Sequence, residues 1–250
     1  MIDLELLRST IKVCMFDQYG TVVDMQSGLV DVATPFLKAK NWLGDPNAFV
    51  TWWRRTHFEN SMIDALLGQE HTPYREIGER AVAFVMDRAG IAYTADEVHA
   101  LVAAIERLRP FPEVPAALDR LRARYKLVVL SNGDPDMLET ARRYHGIAFD
   151  RIISVAVAGA FKPHHATYEK AADLAGVRRD EVLFVANHAF DCIGAKATGM
   201  RTAFIDRRRR PFGATPHQPD LIVPSMTELA EIMGNLSREV GEVKARERRG

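Results

Sequence analysis

The chain has 250 residues, 47% of them hydrophobic and 26% charged, which suits one large globular domain or a core carrying an insert. Its 33 basic and 33 acidic residues cancel, which argues against a nucleic-acid or anionic-membrane surface as partner. No apolar run reaches the ~18 residues that a membrane span needs, and the N-terminal MIDLELLRSTIK lacks a signal-peptide core, so a cytoplasmic protein is expected. Cys14 and Cys192 lie in apolar segments and read as reduced core thiols rather than a disulfide.

Taken in order, the first strand candidate is residues 11–16 (IKVCMF). From Met25 to Leu108 no strand pattern occurs. Apolar residues recur there at helical spacing, which predicts helices over 28–40, 46–67, 73–89 and 95–107. Thr94 followed by Glu97 is a capping-box signature. Asp45-Pro46 and His71-Thr72-Pro73 read as helix starts with proline in the first turn. After Pro110 the pattern changes. An amphipathic helix (FPEVPAALDRLRARY) precedes a strand over 126–133, then a helix over 135–145 and a strand over 151–155. A loop holds Phe161-Lys162-Pro163. A helix over 165–175, a strand over 181–186, a helix over 190–198 and strands at 201–205 and 220–223 follow, before a last helix over 226–234. Strands alternating with helices predict an α/β fold, a Rossmann-like doubly wound parallel sheet. The helical block falls between its first two strands and reads as an inserted cap. The expected division is a catalytic core over 1–24 and 109–238, a cap over 25–108, and a charged tail over 239–250. Residues 207–210, four arginines, read as a solvated loop.

Four strand ends carry chemistry: Asp17 with its Gly20-Thr21 turn, Ser131-Asn132, Lys162, and the segment 186–191 ending in Asp191. In an open parallel sheet these tips converge on one crevice. FDQYGT (16–21), SNG (131–133), FKP (161–163) with Tyr168, and FVANHAFD (184–191) occur in this order, and the helical block adds Trp53-Arg54. On these residues the chain resembles the haloacid dehalogenase-like superfamily, and more narrowly the 2-haloacid dehalogenases that act on the L enantiomer. The resemblance covers nearly the whole chain.

The resemblance implies hydrolytic dehalogenation of short L-2-haloacids, haloacetates and 2-halopropionates, to 2-hydroxy acids. Asp17 would attack the α-carbon in line, and water would then cleave the resulting ester. Lys162 would steady the nucleophile's charge, and Asp191 would orient or activate the water. Ser131 would bind the substrate carboxylate, with Thr21 of the turn in the same substrate-binding set. Asn132, Arg54 and Phe190 match the family's halide cradle, and Tyr19, Phe58 and Tyr74 match its apolar wall. A homodimer without cofactor or required metal is implied. Phosphatases of the superfamily carry an acid two residues after the nucleophile to protonate an alkoxide. Here that position is Tyr19, which suits a halide, since a halide leaves without a proton. The chain departs from the family at Ala186 and His188, where a serine and an asparagine usually help to place the water. His188 could act as base or donor, or could narrow the pocket.

Blander readings stand beside these. Arg55 adjoins Arg54 and could exchange roles with it. Tyr168 could hydrogen-bond into the site or simply pack. Trp42, Phe49, Trp52, Trp53 and Phe58 read as cap core, and the remaining histidines as surface or structural residues. Two other functions stay open: a magnesium-dependent phosphatase, opposed by Tyr19, and a catalytically impaired binding homologue, for which Ala186 and His188 leave room.

Overall fold

The computed structural model describes residues 3–68 and 70–234; the charged tail expected over 239–250 lies outside them. Six parallel strands form one sheet in the order β3-β2-β1-β4-β5-β6. They are β1 (Val13–Phe16), β2 (Lys126–Ser131), β3 (Arg151–Ser154), β4 (Val182–Ala186), β5 (Arg201–Ile205) and β6 (Leu221–Val223). Every residue of β1 and β4 is buried, so both sheet faces are covered, as continuous apolar strands require. The strand order reverses at β1, which pairs with β2 on one side and β4 on the other. This switch point is where open α/β sheets bind ligands.

The first helix was absent from the pattern reading. α1 (Leu4–Thr10) is short and mixed in charge, and it forms because Asp3 accepts from the Glu5 and Leu6 amides. β1 consequently begins at Val13 rather than at residue 11. Next come α2 (Met25–Ala39), α3 (Pro46–Leu67), α4 (Tyr74–Arg88) and α5 (Ala95–Ala103), the last followed by a 3₁₀ turn over Ala104–Arg107. α2 starts three residues early because Asp24 caps it, accepting from the Ser27 amide. Asp45 caps α3 through the Asn47 and Ala48 amides, and the Thr94 capping box forms as expected. α3 packs on α2 and α4, and α4 on α5.

The chain leaves and re-enters the sheet region side by side. The Asp24 amide donates to the Arg109 carbonyl at 2.9 Å, and the Phe111 amide to the Val22 carbonyl at 3.1 Å. All four helices of the insert therefore hang from one narrow neck directly behind the β1 tip. The remaining helices are α6 (Val114–Arg122), α7 (Pro135–His145), α8 (His165–Ala175), α9 (Ala189–Ala197) and α10 (Met226–Gly234). No helix among the described residues is long and apolar enough to cross a membrane.

Candidate active site

Asp17 is the first residue beyond β1, and its amide donates to the Val185 carbonyl, so the carboxylate stands at the sheet's C-terminal edge. Ser131 ends β2 and Ala186 ends β4, one on each side. Gly20, at φ +91°, turns the chain back at once. That left-handed conformation strains residues with a Cβ. The turn returns the Thr21 hydroxyl to Asp17 Oδ2 at 2.7 Å. The same Thr21 oxygen accepts from the Asn187 amide at 2.9 Å, which ties the β1 turn to the β4 tip.

Lys162 reaches in from the loop before α8. Its Nζ donates to Asp17 Oδ1 at 2.8 Å, to Asp191 Oδ2 at 2.7 Å and to the Leu130 carbonyl at 3.2 Å. All three ammonium donors are thus satisfied in a nearly dry setting, where both side chains of each pair are almost wholly buried. Burial pushes the Asp17 carboxyl up, but the Lys162 ammonium and His188 together outweigh it and hold the group well below the usual carboxylate range. Burial pushes Lys162 down, and the two carboxylates more than reverse that. Asp191 is carried upward by burial against the pull of Lys162, and its Oδ1 accepts from the Tyr168 hydroxyl at 2.5 Å. Tyr168 therefore bonds into the site as well as packing under it.

The SNG segment holds its polar groups in place. Asn132 Oδ1 accepts from the Lys162 amide at 3.1 Å, which leaves the NH₂ end of that amide as a donor. The Ser131 hydroxyl accepts from the Gly133 amide at 3.3 Å. His188 places Nδ1 3.5 Å from Asp17 Oδ2. Its ring meets Phe58 edge-on, with centroids 5.2 Å apart, and lies 5.5 Å from Phe190. A Cβ at Gly20 would come within 3.0 Å of this imidazole, so the glycine also makes room for it.

The insert supplies the opposite wall. Arg54 and Arg55 are resolved by the helix itself: Arg54 is buried, whereas Arg55 is exposed and pairs with Glu59. Arg54 Nη1 donates to Gln26 Oε1 at 2.7 Å, while its buried Nε has no partner among the described residues. Burial, with the charge of Arg208, lowers the Arg54 guanidinium to about 10. Tyr19 and Tyr74 stack with ring centroids 5.7 Å apart, and both hydroxyls are buried without a partner among the described residues. Burial raises both phenols, so they remain protonated. Phe58 is partly buried beside the Arg54 guanidinium, 5.9 Å from its ring centre. A cavity of about 240 Å³, lined by Gly20, Gln26, Arg54, Asn187, Arg207 and Arg208, approaches the site from outside.

Three expectations change. Pro73 takes the N-cap position of α4 rather than its first turn, and it has no side chain with which to cap. Asp134, next to the SNG segment, does this from afar: it accepts from the Tyr74 amide at 2.8 Å and the Arg75 amide at 3.0 Å. Although it stands directly before Pro135 of α7, Asp134 makes no capping bond to that helix. Arg207 is not a solvated residue. It pairs with Glu113, donates to the Thr21 carbonyl at 3.1 Å and lies 3.9 Å over the Phe111 ring, because the loop folds back on the neck. Trp52 is half exposed, since it points away from the packed face of α3 that buries Phe49 and Trp53.

Comparison with known proteins gives concordant matches. The family model of haloacid dehalogenase-like hydrolases matches residues 11–199. Haloacetate dehalogenase H-2 of Moraxella sp. (strain B) is 30% identical over 89% of this chain and 98% of its own length. The (S)-2-haloacid dehalogenase of Pseudomonas sp. (strain YL) is 31% identical over 89% and 94%. The structure of the L-2-haloacid dehalogenase of Xanthobacter autotrophicus with chloropropionic acid covalently bound superposes with a TM-score of 0.80 at 28% identity, covering 91% of this chain and 100% of that one.

Proposed function

Because the chain belongs to the haloacid dehalogenase-like hydrolases, we propose that it hydrolyses the carbon–halogen bond of short L-2-haloacids, haloacetates and 2-halopropionates among them. The reaction runs through an ester on Asp17 and inverts the α-carbon. One observation carries the reading: a buried carboxylate is kept ionised by Lys162, and the side chain two residues on is a stacked phenol rather than a second acid. An ionised, desolvated carboxylate is a nucleophile. A leaving group that departs as a stable anion needs no proton from position 19. The relatives named above support the substrate class, and the covalently bound chloropropionic acid in the Xanthobacter structure supports a covalent step.

In the first step an Asp17 oxygen attacks the α-carbon as the carbon–halogen bond breaks. The Asn132 amide, the Arg54 guanidinium and the edge of Phe190 receive the halide. Ser131 and the neighbouring backbone N–H groups hold the substrate carboxylate, and Thr21 fixes the angle of the nucleophile. Tyr19, Phe58 and Tyr74 enclose a short carbon chain, so the helices over 25–108 serve as a cap that excludes water. In the second step water attacks the ester carbonyl and the 2-hydroxy acid departs. Assembly as a homodimer in the cytoplasm completes the reading; the exposed Trp52, Ile63, Leu66 and Leu67 of α3 offer it an apolar face.

Single turnover of L-2-chloropropionate in oxygen-18 water tests the mechanism. Label should enter the Asp17 side chain before it reaches product, and Asp17→Asn should release no halide. Label in product from the first turnover would overturn the ester. Phosphate release from p-nitrophenyl phosphate with magnesium, and no halide release, would favour a phosphatase instead.

A further inference from the structure

We infer that His188, and not Asp191, takes the proton from the water that cleaves the Asp17 ester; this rests on the ester mechanism above. The groups around Asp17 can be ranked by what they still have to offer. Lys162 is a cation with three donors in use. The Thr21 hydroxyl donates to Asp17 and accepts from the Asn187 amide. Ala186 brings no polar group. Burial strengthens Asp191 as a base, but its two oxygens are held by Tyr168 and Lys162, and its side chain is 1% exposed.

His188 differs on each count. Its side chain is 18% exposed, so water reaches it, and Nδ1 lies 3.5 Å from Asp17 Oδ2. Phe58 and Phe190 bracket the ring, and Gly20 leaves space for it. The charged groups around it are Asp17 at the end of β1 and Arg54 from α3, which meets it across Gly20. While Asp17 is an anion it draws a ring N–H toward itself. Once Asp17 is esterified that charge is gone, and the imidazole is free to turn a lone pair toward a water lying against the ester carbon. The base is thereby withheld in the first step and released for the second.

The step balances. Water oxygen bonds to the Asp17 Cγ, and one of its protons passes to His188, which leaves a tetrahedral oxyanion beside Lys162. Collapse breaks the bond between Cγ and the Asp17 oxygen that the first step joined to the α-carbon. The leaving alkoxide takes the proton from the imidazolium to become the 2-hydroxy acid. Asp17, left as a carboxylic acid beside the ammonium, loses its proton to solvent. The sum is one water consumed, and one halide and one proton released.

The test uses L-2-chloropropionate with the intact enzyme and its His188→Asn and His188→Ala variants, followed by rapid quench and protein mass. Halide should appear in a burst approaching one per site, which shows that the first step and the fold survive. Turnover should then slow by ~10²-fold or more, the usual scale of a general base, with the ester accumulating on Asp17. Added imidazole should speed the slow phase of His188→Ala and leave its burst unchanged. Loss of the burst in both variants, or unslowed turnover without ester, would overturn the inference. So would ester accumulation in Asp191→Asn but not in the histidine variants. Wild-type turnover without any ester would instead remove the mechanism of the preceding section, which keeps the two failures apart.

Discussion

The two walls of the site are built on opposite terms. On the sheet side the charged groups are bonded to one another and to their neighbours: Asp17 to Lys162 and Thr21, Asp191 to Lys162 and Tyr168, and Thr21 onward to Asn187. On the facing side Tyr74 and Arg54, with Tyr19 of the β1 turn stacked on Tyr74, carry buried polar atoms with no partner among the described residues. An unmet buried donor costs about 1–3 kcal/mol, so three in one place are not there for the fold's sake. The sheet side is a finished electrostatic assembly whose work is to hold one carboxylate ionised. The facing side carries donors that the described residues leave unpaired, which under the proposed function would meet the substrate. Stability and recognition are thus divided between the walls, and substitutions should separate them.

The sharpest test is Lys162→Met on the finished wall. It leaves two buried carboxylates without their cation, which should destabilise the protein by about 3–5 kcal/mol in urea unfolding and cut halide release by ~10²–10³-fold. The pH profile carries a sign. In the native protein Asp17 is depressed, so its contribution to stability is full above the unfolded pKa of ~3.9, declines as pH falls below that value, and is gone once the lower folded pKa is passed. Without Lys162 burial prevails, the Asp17 pKa rises, and the acid limb of kcat/KM should move to higher pH. An unmoved limb would mean that Lys162 does not set the charge of Asp17.

A smaller effect is expected where the walls are joined. Asp134→Ala removes the cap that the SNG loop provides to α4 and should cost about 1–2 kcal/mol. Because Tyr74 is the first residue of that helix, KM for the haloacid should rise more than kcat falls, and Asp134→Asn should recover part of the loss. Equal changes in both constants would place Asp134 in the fold alone. Smallest, as a loss of stability, is Tyr74→Phe on the unfinished wall. Deleting an unpartnered buried hydroxyl should not lower thermal or urea stability and should raise it by up to about 1–3 kcal/mol, while KM for 2-chloropropionate rises several-fold. A stability loss above about 1 kcal/mol would show that the hydroxyl serves the structure, and the contrast between the walls would fail.

Much of this was legible in the chain because it is local. The Asp17 turn and the SNG segment sit at strand ends, and Lys162 and Asp191 follow β3 and β4 on the same edge, where the parallel sheet brings such segments together. Arg54 was legible in part: adjacent helix residues point ~100° apart, so one of Arg54 and Arg55 had to face inward, though pattern alone left open which. α1 was missed because seven mixed residues carry little periodicity; the capping Asp3 was its available signal. The task of Asp134 was not legible, because its oxygens serve a helix 60 residues earlier and only packing shows it.

The sequence by itself determined the α/β alternation, the insert between the first two strands, and the identity of the carboxylate at the central tip. Hydrophobic periodicity and turn chemistry act over a few residues, so they survive without knowledge of the fold. The tertiary structure decided which partners those residues meet. Lys162 lies between two carboxylates 145 and 29 positions away, Arg207 closes on the neck rather than on solvent, and His188 keeps an open ring nitrogen beside Asp17 while Asp191 is bound on both oxygens. Each depends on how separate elements pack, and the Lys162 ammonium that packing sets against Asp17 turns an ordinary strand-end aspartate into a persistent anion despite its burial.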